Sequence, residues 1–356
     1  MRTQVKLLST ANIEQAAMAV ATQLVCLQAP CNAIVAQSDI KIDSLPALPK
    51  QQSTARSISK SLLDQVGDIF GNMRDTVVMF ENEYSSLYGK LIAFTKAYET
   101  DASKKQAREL TEGIILLEKT IEADLQKRQL VFGNIQSLVN AASSFSESFY
   151  STVKEVEKDL GPAVTGALQS QINSVFEKIN QDNKTLSKGV TEDIKPIFDM
   201  IVAAISSAAS KGEQQQEQVQ RNSEIMSASI KKIKDVDAKQ KAAMADVDAQ
   251  IKRYKELVLQ QESDKLDYVL VCSLNAQFTI LNTQLPVLKD FWANFDAGWK
   301  DLLNGLKTLA EHLSSNKPDN ELIDQLQQAK GDWNELSIKI KGLYSIGKLP
   351  VQYTQA

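Results

Sequence analysis

The chain carries one histidine, His312. Imidazole-based metal centres and Ser–His–Asp triads both need a histidine set among other groups, and a lone one supports neither. No Walker loop, no G-x-G-x-x-G and no H-E-x-x-H run occurs. Ser57 and Lys60 in "SISK" match S-x-x-K, but in a chain this rich in Ser and Lys the match is trivial. The SDN and KTG runs that complete the signature are missing. Cys26 and Cys31 in "CLQAPC" are close enough in sequence for a disulfide, but the favoured expectation is buried or unpaired thiols. With Cys272 they make no disulfide framework. These residues give neither an enzyme nor a cofactor or metal site anything to stand on.

The pattern that could act lies mid-chain. Residues 194–212 read "IKPIFDMIVAAISSAASKG", with no charge from Met200 to Ser210. A single membrane-crossing helix needs about 20 apolar residues, so this run suits a core helix or an interfacial segment instead. Ile194, Ile197, Phe198, Ile201, Val202 and Ile205 recur at helical spacing, with Met200 beside them. Asp199, Ser206 and Ser210 share the other side with small alanines. Upstream, Val164, Leu168, Ile172, Val175, Phe176 and Ile179 make a second amphipathic stripe, and "NQDNKTLSKG" between them reads as a turn. Thr191 is placed to cap the second helix. The spacing thus predicts a helical hairpin with one apolar face and one mildly polar face. The bland alternative is a small cap that buries its own apolar side at the tip of a coiled coil.

Long helices must position it. The 356 residues include only 14 Gly and 8 Pro, so turns are few, and the abundant Ala, Leu, Lys, Gln and Glu are good helix formers. Leu62, Val66, Ile69, Met73, Val77, Phe80, Tyr84, Leu87, Leu91 and Phe94 recur at heptad spacing with one irregular step at Met73–Val77. A helix over 53–100 is about 70 Å long. A second stripe runs Leu110, Ile114, Leu117, Ile121, Leu125, Phe132, Ile135, Val139, Ala142, Phe145, Phe149, Val153, Val156 and Leu160, with Arg128 its one polar entry in phase. It ends at Gly161 and Pro162. A third, weaker stripe follows Gly212 through Met226, Ile230, Ile233, Met244, Val247, Ile251, Tyr254 and Val258.

Shorter elements complete the chain. Residues 10–28 read as a helix stopped by Pro30, and "SDIKIDSLPALPKQQS" as a loop. A helix continuing through Pro286 and a last helix over 320–342 follow. Tyr268–Leu288 is uncharged and of spanning length, but Ser273, Asn275, Gln277, Thr279, Asn282, Gln284 and Pro286 stud it, which favours burial in a bundle. Trp292, Trp299 and Trp333 suit a bundle core better than membrane anchors, and His312 belongs on its surface. The expected organisation is all-α: an elongated rod of very long antiparallel coiled-coil helices. Residues 1–75 and 262–345 form a tail bundle, 76–160 and 212–261 a stalk, 161–211 a foot at the far tip, and 346–356 an irregular tail.

Net charge is −4 and the isoelectric point about 5.4, which leaves no basic footprint for nucleic acid. Nothing marks a small-molecule substrate. Ser9, Asn12, Glu14 and Gln15 interrupt any apolar core of a signal peptide. The expectation is therefore a secreted protein without a recognisable signal peptide, released by another route or by lysis.

This layout resembles the ClyA-type α-helical pore-forming toxins. In size it is most similar to the smaller component of the XaxAB/YaxAB binary cytotoxins, whose foot is amphipathic rather than fully hydrophobic. The resemblance implies a soluble protein that joins a larger helical partner in a hetero-oligomeric ring. Its foot, "DIKPIFDMIVAAISSAASKG", would then enter the target-cell lipid membrane without a cofactor. The rival readings are a non-toxic coiled-coil scaffold, and a toxin component that only assists its partner's insertion.

Overall fold

The computed structural model describes residues 8–37, 39–100, 104–160, 266–315 and 321–347, with isolated positions at 170, 171, 174, 178, 181 and 249. Five helices account for nearly all of them: α1 (Ala11–Ala36), α2 (Leu48–Thr100), α3 (Lys104–Leu160), α4 (Leu266–Ser315) and α5 (Leu322–Gly347). No strand occurs among the described residues. The protein is all-α, with helices of 53, 57 and 50 residues at α2, α3 and α4.

The helix ends follow local chemistry. Ser9 Oγ accepts the amide of Ala11 at the start of α1. Pro30 does not stop this helix: α1 runs through it to Ala36. A proline inside a helix forfeits one donor and crowds the preceding turn, but Leu24, Leu27, Cys31 and Ile34 are all buried around it. Packing on both sides of the proline outweighs the break that local propensity predicts. α2 starts earlier than its periodicity suggests, at Leu48, because two turns closed by Ile42 and Leu45 carbonyls lead into it. Pro49 then sits in the first turn, where its missing N–H costs nothing. α4 passes through Pro286 without ending.

The structure separates into two compact units. The first comprises Met1–Ala21, Gly67–Asn134 and Lys289–Lys348. Its core is aromatic. Phe80 packs against Trp333 at 4.4 Å and edge-on to Trp299 at 5.7 Å, and the two indoles lie 5.4 Å apart. Trp292 and Phe295 extend the cluster along α4. All three tryptophans are fully buried, as core residues rather than surface anchors. Their polar edges find backbone partners where these exist: Trp292 Nε1 donates to the Arg128 carbonyl at 3.0 Å and Trp333 Nε1 to the Leu8 carbonyl at 3.1 Å. Tyr84 Oη donates to the Leu326 carbonyl at 2.6 Å, and burial pushes its ionisation upward. His312 is exposed in the last turn of α4.

The second unit comprises Thr22–Val66, Ile135–Leu288 and Leu349–Ala356. Phe145 and Phe149 stack at 5.2 Å, and Phe145 meets Phe278 at 4.1 Å. Around them the core is unusually polar. Gln23 Nε2 donates to the carbonyl and the side-chain oxygen of Gln284, at 3.0 and 2.8 Å. Gln37 Nε2 donates to the Leu270 carbonyl at 2.8 Å, and Gln52 Oε1 accepts from the Ile40 amide. One face of the uncharged stretch before Leu288 is therefore core: Leu270, Val271, Leu274, Phe278, Leu281 and Leu285 are buried, and Gln277 Nε2 donates to Ser273 Oγ at 3.2 Å. Cys26, Cys31 and Cys272 are buried here and not joined in a disulfide.

Candidate functional site

The predicted insertion residues Ile194, Ile197, Phe198, Met200, Ile201, Val202 and Ile205 lie outside the described residues. So do the supporting positions Val164, Leu168, Ile172, Val175, Phe176 and Ile179, and the third stripe over 212–261. What the structure does show is the pair of helix ends that bracket them. α3 ends at Leu160 and α4 begins at Leu266. Within the second unit, Phe145 pairs with Phe278, and the Glu157 charge acts on Cys272. As one residue number rises the other falls, so these helix segments are antiparallel. Leu160 and Leu266 therefore lie at the same end of this helix pair.

Those helix ends are held by apolar and polar contacts together. Val153, Val156, Leu270 and Val271 are buried. Thr152 Oγ1 donates to Gln51 Oε1 at 2.8 Å, which ties α3 to the start of α2. Lys154 pairs with Glu157 at 2.5 Å on the exposed side. The Cys272 thiol is pushed up to about 12, by burial first and by the Glu157 carboxylate second. The Cys31 thiol is likewise raised to about 12 by burial. Neither is a nucleophile at neutral pH, since the thiolate is the reactive form.

A second constellation, in the first unit, was only half visible in the sequence. Arg128 is buried, as its in-phase position requires. Its Nε donates to Asp296 Oδ1 at 2.8 Å and its Nη1 to Asp124 Oδ2 at 3.3 Å. Thr76 Oγ1 also donates to Asp124 Oδ2. Lys300 reaches Asp296 Oδ2 at 2.7 Å from a more exposed position. The stripe on α3 differs here from its expected course. Leu125 is only half-buried and Phe132 is exposed, while Asp124, Val131 and Leu138 are buried. Strict alternation of three and four from Ile121 reaches 124 and 128, and preferring the apolar neighbour Leu125 hid the acidic member.

Among the described residues, no group of three or more His, Cys, Asp or Glu is placed to hold a metal ion, and no helix is long and apolar enough to cross a membrane. The constellation around Arg128 joins α2, α3 and α4.

No protein-family model matches the chain, and no curated protein matches it significantly. Solved structures do. The HblL1 toxin component of Bacillus cereus aligns with a TM-score of 0.68 at 12% identity, over 93% of this chain and 95% of that one. Soluble SmhB of the tripartite α-pore-forming toxin Smh from Serratia marcescens aligns at 0.62 and 13% identity, over 94% and 90%. The SmhB pore aligns at 0.51 and 14% identity, over 94% and 98%. The chain thus has the fold of these proteins, and it is more similar to the soluble form of SmhB than to its pore form.

Proposed function

We propose that this chain is one component of a multi-part α-helical pore-forming toxin, and that residues 161–211 are the element that enters the membrane. The observation that carries the reading is a fold similar, over more than nine-tenths of the chain, to toxin components solved in soluble and pore states. The uncharged run Met200–Ser210 falls in the segment held between the α3 and α4 ends. That is where a membrane-active element can rearrange without dismantling the aromatic core.

The mechanism follows from burial. In the soluble state the hairpin covers its own apolar face. Contact with a partner and a lipid surface opens it. Each protomer of a ring then turns Ile194, Ile197, Phe198, Met200, Ile201, Val202 and Ile205 toward lipid, with the Ser/Ala face toward neighbours or water. Burial of apolar surface supplies the drive, so no nucleotide or metal is required. The short uncharged run, about half of spanning length, favours dependence on a partner. A larger helical partner in the manner of XaxAB/YaxAB is the arrangement the sequence suggests. The tripartite toxins among the structural neighbours make the number of partners a matter for reconstitution.

The test is dye release from phosphatidylcholine–phosphatidylglycerol vesicles by the pure chain, alone and with each candidate helical partner protein. Little release alone and strong release in combination is expected. Absence of both release and vesicle binding in every combination would reject the proposal in favour of a coiled-coil scaffold. Strong release by the chain alone would reject partner dependence only.

A further inference from the structure

The buried stripes of the first unit repeat with a period that leaves their register open. On α3, Leu110, Ile114, Leu117, Ile121, Asp124, Arg128 and Val131 are buried at alternating steps of four and three. On α4, Trp292, Phe295, Trp299, Leu302, Leu306, Leu309 and Leu313 do the same. A strict heptad looks alike after a shift of seven residues, which moves one helix along the other by about 10 Å. In one direction the shift puts Trp299 in the place of Trp292, so an indole again faces the Arg128 carbonyl. Leu302 replaces Phe295 and Leu306 replaces Trp299, apolar for apolar. The exchange that does not repeat is Leu303 for Asp296. In the other direction Lys289 takes that place and sets a second cation against Arg128.

We propose that the polar layer Thr76–Asp124–Arg128–Asp296 is the register-setting element of this unit. Asp124 and Arg128 are both 1% exposed, so neither can turn to water if its partner moves away. Arg128 closes the layer from α3 to α4 through Asp296, and Asp124 closes it to α2 through Thr76. The stripe offers an apolar residue in each shifted position, at the cost of a void where Leu306 replaces Trp299 beside Phe80 and Trp333, and the layer adds the penalty of a stranded buried charge. The inference concerns the helix pair itself and stands whether or not the toxin reading does.

Two cysteine pairs report register. Glu122 and Lys307 pair at 2.7 Å across α3 and α4, both half-exposed. Glu122→Cys with Lys307→Cys therefore marks the native register. Gln129→Cys with Lys307→Cys marks the register shifted by one heptad. The native thiols are buried and do not compete for a short bis-maleimide. In the otherwise unchanged chain only the first pair should cross-link. Two variants are then compared. One replaces the layer by apolar residues (Asp124→Leu, Arg128→Met, Asp296→Leu). The other moves the acceptor one heptad (Asp296→Leu, Leu303→Asp). The first should stay helical and give both cross-links, with the shifted pair rising at least tenfold. The second should favour the shifted pair. Native cross-linking alone in both variants overturns the proposal. Loss of helicity in the apolar variant also overturns it, because the layer would then hold the fold rather than choose its register.

Discussion

Arg128 Nε lies 2.8 Å from Asp296 Oδ1, although 168 residues separate them in sequence. The guanidinium is withdrawn from water and also meets Asp124 on its own helix. Removing one member of such a group strands the others. Arg128→Met removes the buried cation and leaves Asp124 with only the exposed Lys127 as a cation, at 3.8 Å, while Asp296 keeps Lys300. It should destabilise the first unit by about 3–5 kcal/mol, mostly through the stranded Asp124. Urea unfolding followed by tryptophan fluorescence reads this directly, since Trp292, Trp299 and Trp333 all lie in that unit. A change under about 1 kcal/mol would mean that the carboxylates find other partners or protonate.

Thiols and indoles are segregated: the three cysteines belong to the second unit and the three tryptophans to the first. The second unit also holds the polar residues Gln23, Gln28, Asn32, Gln37 and Gln277 in its core, and a proline inside α1. Such a core should open at lower cost than an aromatic one. Labelling by a disulfide reagent at neutral pH is therefore expected at urea concentrations where tryptophan fluorescence is still native. Coincident curves would show one cooperative unit instead.

The buried thiols also predict a pH dependence. Cys31 and Cys272 are raised to about 12 from an ordinary 9.0. The folded state therefore keeps protons that the unfolded state releases above pH 9. Stability from this source is intact below pH 9 and is lost as pH rises toward 12. At about pH 10.5 the loss is roughly 2 kcal/mol per thiol. Denaturation curves between neutral pH and pH 11 should show the decline, and the double variant Cys31→Ala, Cys272→Ala should flatten it.

Two glycines should respond in opposite directions. A Cβ built on Gly298 comes within 3.0 Å of Ile13 Cγ1 and 3.4 Å of the Ile13 backbone nitrogen, so α1 and α4 touch there. Gly298→Val should cost about 1–3 kcal/mol by overpacking. A Cβ on Gly331 meets nothing within 4 Å. Gly331→Ala sits mid-helix in α5 and should stabilise by about 0.5–1 kcal/mol. Thermal melts of both variants test the pair.

If residues 191–210 enter lipid, Ile201→Glu should abolish dye release in the presence of the partner and leave helicity by circular dichroism unchanged. A charge at the bilayer centre costs about 2.5–3.5 kcal/mol on insertion scales, and every protomer of a ring bears it. Ser206→Glu, on the other face of the same predicted helix, should be tolerated far better. Equal release by Ile201→Glu and the unchanged chain would place the inserting element elsewhere.

Sequence alone determined that this protein is built from long helices. Apolar residues at alternating steps of three and four, with so few Gly and Pro, admit no other regular structure. It also determined that the Tyr268–Leu288 stretch is core, because its Ser, Asn and Gln side chains need partners that lipid lacks. The candidate insertion element was legible as composition, in the uncharged run from Met200, and the structure adds the helix ends that bracket it. Tertiary structure alone decided the rest. α1 runs through Pro30 because Cys31 and Ile34 beyond it have a core to enter, and local propensity carries no record of that core. Strict phase points Asp124 rather than Leu125 inward, but only the meeting with Arg128 and Thr76 lets a carboxylate stay there. A carboxylate is buried only where partners converge, and those partners come from helices far apart in the chain. Periodicity fixes which face of each helix is inward but is indifferent to a shift of seven. Contacts that do not repeat, above all Arg128 with Asp296 and Trp299 with Phe80 and Trp333, distinguish one register from the next.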